Sequence, residues 1–506
     1  ETGPGDRILL NFEAVDWKCE IFINGMKGGS HEGGYLPFSI DITDLVKPDG
    51  NVLVVSVTDP SDSHWQQRGK QRLHPSSIWY TPTSGIWQTV WMETVPSDYI
   101  EGLRITPLPE EERVLIEVSS ASGLNVRARI NDGELPVACG SFKSNEPFFI
   151  LLPSPRLWSP AEPFLYGLEI ELMSGPDTID SVTSYFGMRS VSIARGSSGR
   201  KMLLLNGSPV FLNGPLDQGY WPESGLTPPC DEAMKFDIRS MKELGFNAIR
   251  KHIKIEPRRW YYHADRLGIL VIQDMVSGGR DMNTKRRVKM SRLPGHLVKD
   301  NNARTYSLAW RSDPSSRKSY EDELEGMLSH LHNSPAIIIW CPFNEAWGQY
   351  DSKRIYGKVR ALDSSRAVDH VSGWIDQGCG DFLSKHTYIK KLKRPPGCDK
   401  RAYLISEYGG YNCILADNLW RDDDSSGYKY FPTTGMLMDA YEELLTGQVL
   451  PLIEYGLCGT IYTQLSDVEI ETNGIYTYDR RVLKFDAKRM RRLHAMLDDA
   501  FRRKNE

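Results

Sequence analysis

Cysteine is sparse and unpaired in this 506-residue sequence: eight residues, at 19, 139, 230, 341, 379, 398, 413 and 458, with no Cys-x-x-Cys among them. That spacing excludes a zinc finger and a small-domain disulfide framework. Cys341 and Cys458 lie inside strand-like runs and read as buried thiols. Long apolar runs are also missing, and none approaches the roughly 18 residues of a membrane helix, so no membrane partner is expected. Basic excess is absent, with 61 Lys and Arg against 66 Asp and Glu. Nucleic acid therefore finds no electrostatic footprint. No metal or organic cofactor is called for by any motif. The start, ETGPGD, has neither Met nor a signal peptide and reads as processed or trimmed. One glycosylation-type triplet, Asn206-Gly207-Ser208, matters only in a secreted protein. The compartment stays open, cytoplasmic slightly ahead of secreted, and so does homo-oligomerisation.

What is present is length and pattern. The length points to about three domains. Residues 1–96 hold short strands ("RILLNF", "CEIFING", "VLVVSV") and a hairpin signal at Asn24-Gly25, without helical period, so they read as a β-sandwich. Residues 97–190 ("VLIEVSS", "LNVRARI", "LYGLEIEL") have the length of a seven-stranded, immunoglobulin-like sandwich. From 191 to 506 strands and helices alternate. "PVFLNG", "FNAIRKH", "ILVIQDM", "AIIIWCPFNE", "AVDHVSG", "FLSKHTY", "AYLISEYGG" and "LCGTIYTQLSD" make eight strands. Helices are expected from Asp231 and over 257–267, 319–332 and 351–361. This is the arithmetic of a (β/α)8 TIM barrel, and no glycine-rich phosphate fingerprint supports the rival open sheet. Residues 280–318 form a long basic loop, expected as a substrate wall. "RDDDSSG" at 421–427 reads as a solvated turn.

The stretch "IIIWCPFNEAWGQYD" runs from a buried strand straight into an acid. On a barrel the C-terminal ends of the strands carry chemistry. Glu345 follows the fourth strand and Glu407 lies at the end of the seventh, so both converge on one mouth. Paired carboxylates are what glycosidic cleavage needs: one protonates the leaving oxygen and the other attacks the anomeric carbon. Arg250 and His252 end the second strand, and Arg250 is expected to bond Glu407 directly. Asn344 is expected to bind a sugar hydroxyl. His386 and Tyr388 on the sixth strand, Trp374 after the fifth and Tyr462 on the eighth complete the expected substrate-binding set.

With these residues placed, the chain resembles glycoside hydrolase family 2, which includes β-galactosidases, β-glucuronidases and β-mannosidases. "HEGGYLPFSIDIT" and "TSGIWQTVWMETV" resemble the family's sugar-binding, jelly-roll-like sandwich. "RLWSPAEPFLY" and "YFGMRSV" resemble its immunoglobulin-like domain. "LDQGYWPESGLTPP", "GFNAIRKHIKIEPRRWYYHADRLGILVIQDM", "FNEAWGQ" and "ISEYGG" resemble its barrel. The resemblance implies Glu345 as acid/base, Glu407 as nucleophile and a carbohydrate substrate.

Three departures stand against the family pattern. Strands that usually precede "RILLNF" are absent, which implies an incomplete first sandwich with an unpaired edge near residues 7–12. Tyr462 stands where the family often has Trp on the eighth strand, at the expected floor of the sugar pocket. Glu471-Thr472-Asn473 replaces the glucuronidases' Asn-x-Lys before Gly474-Ile475. With no cation there, a neutral sugar is expected, β-galactoside first, and β-glucuronide is the alternative. Arg286, Arg287 and Lys289 of the basic loop are the compensating candidates. The reading from another class is a non-catalytic carbohydrate-binding protein on the same fold.

Overall fold

The computed structural model describes residues 5–196, 199–279, 298–396, 400–421 and 424–505. The chain divides into two compact units: Glu1–Pro60 with Ser84–Ser190 and Gly326–Pro335, and Ser61–Thr83 with Val191–Glu325 and Ala336–Glu506.

The first unit holds both sandwiches. Asn24 and Gly25, at φ 53° and 83°, turn the expected hairpin between Lys18–Ile23 and Met26–Glu32. Both residues need the left-handed region, which explains the Asn-Gly pair. Three strands form one sheet (Met26–Glu32, Lys18–Ile23, Leu53–Thr58) and three form the other (Phe38–Asp41, Arg7–Phe12, Val90–Val95). Leu10, Phe12, Cys19, Ile21, Ile23 and Ile40 fill the space between. The expected free edge at residues 7–12 is corrected: Arg7–Phe12 is the central strand, paired on both sides. The apolar edges lie elsewhere. Met92 pairs with Leu10 and Leu53 with Ile23, so both follow core-facing residues, yet they are 63% and 47% exposed.

The second sandwich has the seven strands read from the sequence. Gly102–Leu108, Arg113–Ser119 and Phe148–Leu151 form one sheet. Asn125–Asp132, Leu135–Lys143, Tyr166–Ser174 and Asp177–Phe186 form the other. Alternation along Arg113–Ser119 and along Asn125–Asp132 as far as Ile130 turns Val114, Ile116, Val118, Val126, Ala128 and Ile130 into one core.

The second unit contains eight parallel strands: β1 Leu212–Asp217, β2 Ala248–Lys251, β3 Leu270–Asp274, β4 Ile337–Cys341, β5 Ala367–Val368, β6 Phe382–Thr387, β7 Ala402–Gly409 and β8 Leu457–Thr463. Hydrogen bonding runs β5-β4-β3-β2-β1-β8-β7-β6, so each of the eight expected strands takes its barrel place. Except for the last three residues of β6, every strand residue is buried, so the runs are largely apolar and their polar residues, such as Asp217, Arg250, Asp274 and Glu407, are buried with them. Helices Asp231–Glu243, Arg258–Leu267 and Ser352–Leu362 match expectation, whereas the helix expected at 319 begins at Pro314. Gly268 closes Arg258–Leu267 at φ 72°, with its N–H on Ala264 O.

Two sequence expectations change. Of the long loop, residues 280–297, with Arg286, Arg287 and Lys289, lie outside the described residues. Beyond them, Ala303–Ala309 is a helix capped by Asn302, and Pro314–Leu331 follows. Of the expected solvated turn, 422–423 lie outside the description, and Ser426 is tied in by backbone bonds to Ile470 and Thr472. Ser61–Thr83, expected within the first sandwich, belongs to the barrel unit. Gln67 bridges Gly278, Arg68 Nη1 donates to Gly279 O, and Tyr80 OH donates to Glu471 Oε2.

Candidate active site

Arg250 is the hub. Its side chain is fully buried at the end of β2. Nε and Nη2 donate to the two carboxylate oxygens of Asp274 at 3.0 and 2.8 Å. Nη1 donates to Glu407 Oε1 and to Ser406 O, each at 3.0 Å, and Nη2 also reaches Asn344 Oδ1 at 2.9 Å. Burial alone would lower its pKa, but the carboxylates of Asp274 and Glu407 outweigh burial and raise it. A planar guanidinium suits this task, since its fork holds β2, β3, β7 and the β4 loop in one plane. The expected Arg250–Glu407 bond is there. Glu407 receives a second donor on Oε2, the hydroxyl of Tyr388, whose ring stacks on Tyr428 at 3.9 Å.

Glu345 stands on strained backbone. Its φ is 50° and that of Ala346 is 60°, the left-handed region that costs about 1–3 kcal/mol per residue and clusters at functional sites. Backbone bonds impose it: Glu345 N donates to Ser372 O at 2.9 Å, and Trp347 N to Asn344 O at 2.9 Å. The turn swings the carboxyl into the mouth, where Oε1 lies 2.9 Å from His386 Nδ1. Oxygens of Glu345 and Glu407 and a ring nitrogen of His386 all fall within 4.8 Å of one another. Among the described residues this trio alone has a metal-ligand arrangement. Arg250 already supplies a positive charge beside Glu407.

A second layer of amides fixes the orientation. His252 Nδ1 pairs with Gln218 Oε1 at 2.8 Å, Gln218 Nε2 donates to Gln464 Oε1, and Gln464 Nε2 donates to Asn473 Oδ1. Asn473 Nδ2 then donates to Glu471 Oε1, whose partner oxygen accepts from Tyr80. Every amide points its N–H toward Glu471, so His252 carries its proton on Nδ1 and accepts from Asn344 Nδ2 through Nε2 at 3.1 Å. Burial, reinforced by the charges of Lys70 and Arg250, pushes the His252 pKa well below the usual imidazole range and keeps it neutral. Asn344 thereby keeps one N–H for a ligand.

The structure brings Asn344, Glu345, Arg250, His252, His386, Tyr388 and Glu407 together. Trp374 packs against Ala346, the neighbour of Glu345, and against Ile375. Tyr462 is corrected: it is fully buried and crossed by Tyr408, Tyr441 and Phe485, and its hydroxyl accepts from Tyr411 N at 3.3 Å. It forms packing around β8 and no pocket floor. Sequence reasoning missed Asp274, Gln218, Gln464, Ser372, Tyr428 and Lys70. Of these only Asp274, closing "VIQD" at a strand end, carried a local signal.

Known proteins match this chain along its length. Family models match residues 199–408 ("Glycosyl hydrolases family 2, TIM barrel domain"), 99–189 ("Glycosyl hydrolases family 2") and 1–89 ("Glycosyl hydrolase 2 galactose-binding domain-like"). A β-galactosidase of Lactococcus lactis is 26% identical over 375 residues, 72% of this chain and 33% of that protein. A putative β-glucuronidase of Formosa agariphila is 26% identical over 354 residues, 67% of this chain and 38% of that protein. The chain thus spans about a third of the length of these curated relatives. In fold it is similar to a β-D-glucuronidase of Dictyoglomus thermophilum, with TM-score 0.75, 17% identity and coverage of 98% and 87% of the two chains. It is also similar to a putative β-galactosidase of Bacteroides fragilis, with TM-score 0.72, 16% identity and coverage of 98% and 75%. With three models of one family matched in order from the first sandwich into the barrel, the chain belongs to glycosyl hydrolase family 2.

Proposed function

We propose that the protein is a retaining exo-β-glycosidase. The observation that carries this is the approach of the Glu345 and Glu407 oxygens to within 4.8 Å at the barrel mouth. Retaining enzymes keep their carboxyl groups about 5–5.5 Å apart, whereas inverting ones leave about 6.5–9.5 Å for a water. In the first step a Glu407 oxygen bonds to C1 as the C1–O bond to the leaving group breaks. The proton on Glu345 passes to the leaving oxygen. In the second step Glu345 takes a proton from water, the water oxygen bonds to C1, and the ester to Glu407 breaks. Asn344, held between Arg250 and His252, offers its free N–H to a sugar hydroxyl. Hydrolysis of 4-nitrophenyl β-glycosides with retention at C1, read by proton NMR, tests the reading. Inversion, or no turnover on any β-glycoside, would overturn it.

For the sugar, β-galactoside is the first reading, supported by the β-galactosidases among the sequence relatives. Its other support is the Glu471 carboxylate, which is held by two neutral donors, Tyr80 and Asn473. A specific observation favours β-glucuronide as the second. Lys70 is 8% exposed, lies 6.0 and 5.7 Å from the rings of Trp79 and Tyr80, and has no ion-pair partner among the described residues. Buried lysines are almost never unpaired, so a substrate carboxylate would complete it. Lys70→Met keeps the apolar stem and removes the charge. If the sugar is a uronate, kcat/KM for 4-nitrophenyl β-glucuronide falls roughly 10- to 100-fold, the worth of a charged hydrogen bond, and the galactoside rate holds. Equal effects on both substrates would remove Lys70 from sugar selection.

A further inference from the structure

We infer that a buried chain of three serines ending on Asp369 fixes the tautomer of His386 and so holds Glu345 in its proton-donating form. The inference rests on Glu345 being the acid/base. The His386 side chain has no solvent exposure. Its Nδ1 faces Glu345 Oε1 at 2.9 Å, and its Nε2 faces Ser372 Oγ at 2.8 Å. Ser372 Oγ donates to Ser406 Oγ at 2.8 Å, and the Ser406 and Ser384 hydroxyls stand 2.5 Å apart. Beyond Ser384 lies the carboxyl of Asp369, which is 1% exposed and whose pKa the Ser384 hydroxyl lowers.

Proton counting sets the direction. A hydroxyl has one proton, and Ser372 gives its own to Ser406, so Ser372 accepts from His386. Nε2 therefore carries the N–H. Glu407 Oε1, 3.5 Å from the same nitrogen, also calls for a donor there. On this inference His386 is neutral, with its single N–H on Nε2 and a lone pair on Nδ1. The 2.9 Å contact to Glu345 then requires the proton on the Glu345 carboxyl, the form that protonates a leaving oxygen. The opposite tautomer would donate to Glu345 and favour the carboxylate. Asp369 suits the far end of the chain. Burial pushes its carboxyl up to about 6, against the charge of His370 and the Ser384 hydroxyl. Gly373, at φ 91°, admits the ring, since a Cβ there would stand 2.8 Å from it.

Other charged and titratable groups face this pair: Glu407 from β7, Arg250 and His252 from β2, Tyr388 from β6, and Tyr428. Lys70 acts on His252, and Asp369 also feels Arg250. None of them offers His386 Nε2 an acceptor as short as Ser372. The serines touch no substrate, so they are positioning residues.

The test uses Ser372→Ala and Ser384→Ala in the full chain. Long-range 15N NMR of histidine-labelled protein, assigned with His386→Gln, reads the tautomer without turnover. The parent is expected to show His386 protonated on Nε2, and Ser372→Ala to shift it toward Nδ1. On aryl glycosides of the sugar that the parent hydrolyses, Ser372→Ala should lower kcat/KM about tenfold for phenol leaving groups. For dinitrophenol the change should be about twofold at most, because little proton donation is needed. The basic limb should move down by about one pH unit, since a donor on Nδ1 favours the Glu345 carboxylate. Ser384→Ala should act in the same direction, less strongly. A doubly protonated or Nδ1-protonated His386 in the parent, or equal losses for all leaving groups with an unmoved limb, would overturn the inference. A parent with the Nε2 tautomer but no glycosidase activity would instead overturn the proposed function.

Discussion

Glu407→Gln is expected to cut kcat by at least about 10^4-fold, the scale on which losing a nucleophile acts. The amide keeps the shape and one acceptor oxygen, so Arg250 retains a partner and Tyr388 can accept from the new N–H. What disappears is the anionic oxygen that forms the bond to C1. Because the fold is retained, the melting temperature should move by only a few degrees and sugar binding should persist, as steady-state rates and calorimetry would show. A variant with parental kcat would remove Glu407 from the chemistry. A parent that binds sugars without hydrolysing any would favour the non-catalytic carbohydrate-binding reading.

Glu345→Gln and Glu345→Ala should have the second largest effect, and a selective one. General acid–base catalysis is worth about 10^2–10^4-fold, so glycosides with poor leaving groups should lose that much. Dinitrophenyl glycosides need little protonation and should keep their first step, leaving a glycosyl-enzyme that hydrolyses slowly. Azide, which attacks C1 without base assistance, should then accelerate turnover of Glu345→Ala and yield the β-glycosyl azide. Uniform loss across leaving groups, with no azide rescue, would show that Glu345 has a structural role only. His386 takes part in this contrast. In Glu345→Ala its Nδ1 loses the carboxyl partner at 2.9 Å, so Glu345→Gln is the better variant for comparing rates.

Strand ends were the legible part of the site. Parallel strands closing into a barrel force their C-terminal ends into one rim, so Glu345 and Glu407 could be paired from 62 residues apart on topology alone. Arg250 was legible for the same reason. Tyr462 was not. Every residue of β8 is buried, so alternation carries no signal about which side faces the mouth and which packs outward. The central position of Arg7–Phe12 was hidden too, because pairing to Val90–Val95 joins residues far apart in the chain and nothing local encodes it. The same holds for Lys70 and Tyr80. Their segment reads as part of a sandwich and lies on the barrel, through Gln67 to Gly278 and Tyr80 to Glu471. Ser372, Ser384 and Ser406 looked bland as single serines in strand-like runs. Only their convergence around His386 gives them a role.

The central claim is that Glu407 forms a covalent bond to the sugar. Incubation with a 2-deoxy-2-fluoro β-glycoside bearing a dinitrophenyl leaving group, followed by peptic digestion and mass spectrometry, tests it most directly. The fluorine slows both steps and the leaving group restores the first, so the glycosyl-enzyme accumulates. The account predicts one fluorosugar per chain, on the peptide that contains Glu407, and none in Glu407→Gln. A label on any other residue, or substrate turnover with no covalent adduct under these conditions, would contradict it.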